Sequence, residues 1–251
     1  MIELLRNCSH GSEIATYLAS NLYSGKKVIK AAITPAGIKN LESEVNGWNW
    51  YQRIRYPHII APLCKITQNK NSYFKIEIEF IEGIKADYRK GLVRNSNFVQ
   101  KVIKHYCHRW PYYSNALSPF HGDLSIDNII YNSTGVHIID WEHFSLSGAP
   151  WGFDALYLLF ETLWFGMRKR KLPTKKEINI ISYNIKILNV KNKLDTQIMK
   201  HPLRFVINFI NNNSKLWGKQ LSVFQNKLPI INFTTEQISI IDELIDNKWQ
   251  K

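Results

Sequence analysis

Residues 121–142 hold the types and spacing that could do chemistry. They read His-Gly-Asp-Leu-Ser-Ile-Asp-Asn-Ile-Ile-Tyr, a short turn, then His-Ile-Ile-Asp-Trp-Glu. His121, Asp123 and Asn128 stand in the order H-x-D-x-x-x-x-N, and Asp140 closes an apolar run. One carboxylate in such a window can meet an attacking hydroxyl. An amide oxygen and a second carboxylate can hold magnesium on phosphates, because magnesium takes oxygen ligands and keeps several waters. Singly, each residue has an ordinary use: Asp123 in a loop or helix cap, Asn128 in a turn, Asp140 at a strand end. The chemical reading rests on all of them falling in register.

The same spacing marks the protein-kinase catalytic loop and its metal-binding Asp. The chain resembles the aminoglycoside phosphotransferase and choline kinase family of small-molecule kinases. The specific marks are Gly122 in place of the protein-kinase Arg, and Ile139-Asp140-Trp141-Glu142 in place of Asp-Phe-Gly. The resemblance implies ATP and Mg2+ as cofactors, Asp123 as base or orienter of the acceptor hydroxyl, and Asn128 and Asp140 as metal ligands. Glu142 either reaches the metal shell or shapes the loop. His121 is expected to brace the loop through backbone near Asp140. Asp154, in Gly-Ala-Pro-Trp-Gly-Phe-Asp-Ala-Leu (148–156), matches the Asp that opens a buried helix and bonds back to the catalytic loop. It would equally serve as an N-cap.

The elements that must position these residues read as strands first and helices after, an α+β pattern with two segregated lobes. Strands are expected at Ile2–Asn7, Glu13–Ser20, Lys27–Ile33, Leu63–Gln68 and Tyr73–Phe80, between turn signals. Pro35 and Gly37 are read as breaking the third strand, with a helix over 38–54. Further helices are expected at 94–108, Phe153–Met167, 176–188, 202–220 and 234–248. This is similar to the protein-kinase-like fold, with a β-rich N-lobe over 1–83 and a helical C-lobe over 84–251. The motif resemblance runs to about residue 165.

In the N-lobe, Lys27-Val28-Ile29-Lys30-Ala31 resembles the strand carrying the phosphate-binding Lys. Lys30 is the choice, with Lys26 and Lys27 as competitors. Its acidic partner would be Glu44, in register with Trp48 and Tyr51, or else Glu42. Ser9, Gly11 and Ser12 form a sparse candidate phosphate loop that is also an ordinary hairpin turn. Adenine is expected against the hinge backbone near Glu79, Phe80 and Ile81. His105, Cys107 and His108 lack further ligands at zinc spacing. Trp48, Trp50, Trp110 and Trp151 read as packing, and Ser125 lacks a nucleophile-elbow context.

A hydrophobic content of 45% supports an ordinary core, and the three cysteines form no C-x-x-C pair. Together with an N-terminus unlike a signal peptide, this points to a reducing, cytoplasmic setting. The net charge of +13 suits an anionic partner, or follows from a Lys-, Asn- and Ile-rich composition. Residues 165–251 hold sixteen Lys and Arg against six Asp and Glu. An anionic or sugar-like acceptor, such as a glycan or lipopolysaccharide precursor, therefore fits better than a cationic aminoglycoside or choline. Arg168-Lys169-Arg170-Lys171 is expected to face such a substrate, an acidic membrane surface, or solvent. Nucleic acid is not the expected partner. The competing class is a pseudokinase that uses a basic face for docking; its mark would be loss of Asp123, Asn128, Asp140 or Lys30, all of which are present.

Overall fold

The computed structural model describes residues 1–6, 13–21, 25–55, 57–58, 61–70, 73–113, 117–167, 170–190, 193–213 and 231–249. The first strands are β1 (Ile2–Arg6), β2 (Ile14–Asn21) and β3 (Gly25–Ala32). Helix α1 (Pro35–Arg55) follows, then β4 (Cys64–Lys70) and β5 (Tyr73–Glu79). These strands form one antiparallel sheet in the order β1-β2-β3-β5-β4. Period-two alternation sets its faces: Phe74, Ile76 and Ile78 are buried, while the β5 residues between them are partly exposed. Helix α1 packs on β3, β4 and β5 and buries Leu41, Glu44, Trp48 and Tyr51 along one side.

Pro35 does more than end β3, because it is the first residue of α1. Proline is pre-organised for that position and lacks an N–H that would go unpaired there anyway. Thr34 Oγ1 accepts from the Gly37 amide at 3.1 Å, and Glu13 Oε2 accepts from the same amide at 2.9 Å. The helix thus begins three residues before the expected start.

The second half is built on α2 (Gly91–Arg109) and α3 (Phe153–Met167). Helix α3 is buried along nearly its whole length, as an all-round apolar helix must be. Helices α4 (Lys175–Leu188) and α6 (Pro202–Asn212) pack on it, while α5 (Thr196–Lys200) and α7 (Thr235–Asp246) pack on α6 and on each other. The expected helix over 202–220 ends at Asn212, and 214–220 lie outside the described residues. Among the described residues no helix is long and apolar enough to cross a membrane.

Between α2 and α3 the chain makes two small antiparallel pairs. Strand β6 (Ser118–Phe120) pairs with β9 (Ser145–Ala149), and β7 (Ile129–Asn132) forms a hairpin with β8 (Gly135–Ile138). Asn132 Oδ1 closes the hairpin turn by accepting from the Thr134 amide at 2.9 Å, an Asx turn. Beyond the paired strands, the Ile139 amide donates to the Asn128 carbonyl at 2.9 Å. The hairpin therefore returns the chain so that Asp140 arrives beside Asn128.

The tryptophans join the two halves by packing. Trp141 lies 5.0 Å from Tyr51 and 5.7 Å from Trp50, both on α1, and stacks with Trp110 at 6.0 Å between centroids. Gly47 permits this approach: a Cβ there would stand 2.5 Å from the Trp141 Cβ. The segment that ends in Asp140 is thereby held against the helix that carries Glu44.

Candidate active site

Lys30 is inward-facing because β3 alternates, and at 6% exposure it is buried, whereas Lys26 is exposed and Lys27 pairs with Glu77 at the sheet surface. The Lys30 ammonium donates to Glu44 Oε2 at 2.9 Å, Asp140 Oδ1 at 2.5 Å and Glu142 Oε1 at 3.1 Å. Burial alone would lower its pKa. Asp140, Glu44 and Glu142 outweigh that and raise it well above the usual lysine value. Glu44 is fully buried and also accepts from Trp48 Nε1 at 2.8 Å; Glu42 is exposed. The choice between the two acids is thus decided by the side of α1 that faces the sheet.

His121, Gly122 and Asp123 form a loop held from two directions. The His121 and Gly122 amides donate to the two Asp154 carboxylate oxygens at 2.9 and 3.2 Å. Asp154 is the second residue of α3 and satisfies this loop instead of capping its own helix. His121 Nδ1 accepts from the Asp123 amide at 3.2 Å, which makes Nε2 the donor to the Ile139 carbonyl at 3.0 Å. Burial pushes the His121 pKa down to about 4, so the imidazole is neutral near pH 7. Gly122 has φ +87°, and a Cβ there would meet the His143 Cβ at 2.5 Å. An Arg at this position does not fit the backbone or the space.

Asn128 Nδ2 donates to the Asp123 carbonyl at 2.9 Å and to Asp123 Oδ2 at 3.0 Å. Asp123 Oδ1 is buried and has no partner among the described residues. Burial, and then the Asp140 charge, push the Asp123 pKa up to about 7, a value suited to taking a proton near neutral pH. Asp140 adopts φ +66°, unusual for a non-glycine residue.

A cleft of about 370 Å³ opens between the sheet and the β7–β8 hairpin. Val28 of the sheet, Ile130 and Ile139 of the hairpin segment, and Glu79, Phe80 and Ile81 all line it. Lys30, Glu44, Asn128 and Asp140 line its polar side. The Glu79 and Phe80 amides are used by Leu63 and Lys26 carbonyls, whereas the Ile81 backbone makes no hydrogen bond among the described residues. The donors near Asp140 are hard oxygens, the set a magnesium ion prefers. With its nitrogen given to Asp123, the Asn128 amide has its oxygen left for such an ion.

Ser9, Gly11 and Ser12 lie outside the described residues. Arg168 and Lys169 do as well, and Arg170 is bound in a bidentate pair with Glu177 at 2.7 and 3.0 Å. That pair ties Arg170, which stays exposed at the surface, to a buried carboxylate in the first turn of α4. Two residues were not anticipated as part of the site. Lys85 lines the cleft after the hinge and donates to the Asp127 carbonyl at 3.0 Å. Glu161, buried in α3, accepts from the Ile126 amide at 3.4 Å beneath the loop. An acid inside an apolar helix is itself a signal, because a buried carboxyl needs a hydrogen-bond partner.

A β-rich first half, a helical second half and a cleft between them define an α+β protein with the protein-kinase-like fold. Among solved structures, the chain is similar to an amicoumacin kinase determined in complex with AMP-PNP and Ca2+, with TM-score 0.55 and 10% identity, covering 98% of this chain and 88% of that one. It is also similar to an ethanolamine kinase of Plasmodium vivax, with TM-score 0.53 and 15% identity, covering 96% of this chain and 81% of that one. No protein-family model matches the chain, and no curated protein matches it in sequence. The likeness is one of fold. It extends well past residue 165, where motif resemblance stops, because helix packing can be shared without shared motifs.

Proposed function

We propose that this protein is an ATP- and Mg2+-dependent phosphotransferase that moves the γ-phosphate to a hydroxyl of a small molecule. The observation that carries this reading is the joining of Asn128 to Asp123, with Asn128, Asp140 and Lys30 along one cleft. Residues 1–83 would hold the nucleotide and 84–251 the catalytic loop and acceptor. Adenine would lie between Val28 and Ile130/Ile139, with its edge on Ile81. Lys30, braced by Glu44, would meet the phosphates. Asn128 and Asp140 would hold magnesium, which supplies charge neutralisation at the β- and γ-phosphates. Asp123 Oδ1 would accept the acceptor hydroxyl and orient it toward the phosphorus. A loose transition state asks mainly for positioning, which the Asn128 bond to Oδ2 provides. Asp154 and His121 would support the loop from beneath.

The acceptor is proposed to be anionic or sugar-like, on the strength of the basic 165–251 segment, and the setting cytoplasmic. The two similar kinases act on amicoumacin and ethanolamine by their names, so both classes belong in the screen. The experiment is ADP release measured with Mg-ATP across sugars, phosphosugars, lipopolysaccharide precursors, amino alcohols and aminoglycosides. Asp123→Ala is expected to lower kcat by about 10²–10⁴ on the best acceptor. A variant that turns over like wild type would remove Asp123 from the chemistry. Absence of any Mg-ATP-dependent thermal shift would favour the docking-module alternative.

A further inference from the structure

Three carboxylates meet at one ammonium. Oxygens of Glu44, Asp140 and Glu142 lie within 4.8 Å of one another, and each contacts Lys30 Nζ at 2.5–3.1 Å. Two of the three acids, like Lys30 itself, are almost inaccessible to solvent. Buried carboxylates at this spacing repel unless a cation stands among them. The protein supplies that cation itself. A divalent ion on Asp140 needs oxygens at about 2.0–2.6 Å, the same oxygens that now face the ammonium. Two cations cannot share this space at these distances.

The three acids are not held alike. Glu44 belongs to α1, and its other oxygen is fixed by the Trp48 indole at 2.8 Å. Asp140 and Glu142 belong to the irregular segment after β8, where Asp140 has a positive φ and a side chain 31% exposed. An incoming cation therefore reaches Asp140 from the cleft, while Glu44 stays with α1.

We propose that Lys30 is the resident counter-cation of Asp140 and Glu142, that it keeps them gathered before a metal arrives, and that it surrenders these two to a divalent cation while retaining Glu44. The inference rests on the phosphotransferase reading of the cleft and adds an order of events to it. Lys30 reaches the phosphates only after metal has taken Asp140. Metal and ammonium are then competitors, and competition is reciprocal: removing one strengthens the other.

The test uses Mn2+ alone, without nucleotide. In wild-type protein, acylation of Lys30 by an N-hydroxysuccinimide ester, read by mass spectrometry, is expected to rise several-fold with Mn2+ and not with NaCl of equal ionic strength. Lys30→Met is expected to bind Mn2+ roughly ten-fold tighter or better than wild type by electron paramagnetic resonance. Its melting temperature should fall without Mn2+ and recover with it, and Asp140→Asn added to Lys30→Met should abolish that recovery. Equal Mn2+ affinity in wild type and Lys30→Met overturns the proposal, as does absence of binding in both. Unchanged Lys30 labelling while Mn2+ is bound overturns it too, and that measurement needs no variant to fold. Mn2+-driven exposure of Lys30 in a protein that never binds Mg-ATP would refute the phosphotransferase reading and leave this exchange standing.

Discussion

Asp154 in α3 and Asp242 in α7 are both buried, and each takes two backbone amides from another segment. Asp154 accepts from His121 and Gly122 at 2.9 and 3.2 Å. Asp242 accepts from Leu203 and Arg204 at 2.9 and 3.1 Å. The second case is a tertiary helix cap. The N-cap residue of α6, His201, makes no side-chain cap bond, so the orphan amides of the first turn are satisfied from α7. The first case holds an irregular loop that no helix or sheet ladder could satisfy. One device thus assembles two helices in one region and shapes the candidate catalytic loop in the other. Stability alone should not separate the two regions; on the proposed function, turnover should.

Gly122→Ala should have the largest effect on that comparison. It forces a Cβ onto a positive φ and into His143, and about 2–4 kcal/mol of stability should be lost in denaturant melts, together with turnover. Asp154→Ala should follow, with about 2–3 kcal/mol lost from two buried amides left unpaired and kcat reduced roughly ten-fold or more by loop misplacement. Asp242→Ala should cost about 1–3 kcal/mol by the same mechanism, with kcat at a temperature where the variant is folded equal to wild type. If Asp154→Ala keeps full kcat, or Asp242→Ala loses it, the distinction between the regions fails.

The smallest effect is on pH dependence. Burial pushes the Asp154 pKa up to about 7 and the Asp242 pKa up to about 6. Well below pH 4, both folded and unfolded chains carry the proton. As pH rises, the unfolded carboxyl ionises first, so each group's contribution falls until its folded pKa is reached. The stability difference between Asp242→Asn and wild type should therefore change between about pH 4 and 6 and level off above. For Asp154→Asn the change should continue to about pH 7. A difference that is flat across these windows would mean the carboxyls are not held protonated in the fold.

Legibility in the sequence followed the range of the interaction. His121, Asp123 and Asn128 share one loop, and Asp140 follows across one hairpin, so fixed spacing sufficed to single them out. The α+β order came from period-two and helical patterning, which burial imposes along the chain. The helix boundaries were read less well. The start of α1 depends on Thr34 and on Glu13, a residue of the N-terminal half of the sheet. Lys85 and Glu161 were missed as parts of the site because their partners, the Asp127 carbonyl and the Ile126 amide, lie 42 and 35 residues away. Arg170 is the surface charge that its sequence context implies, but its pairing with Glu177 is not legible, because Glu177 does not announce itself as buried.

What the chain alone determined is the inventory: a loop with an acid and an amide at set spacing, a second acid one hairpin later, a β3 lysine and an acid on the following helix. Local backbone geometry dictates such spacing, and one dimension can record it. The convergence of Glu44, Asp140 and Glu142 on Lys30 was decided in three dimensions. It depends on Trp141 lying against Gly47 and on α1 turning Glu44, and not Glu42, toward the sheet. Close packing between distant segments fixes those contacts, and no spacing along the chain encodes them.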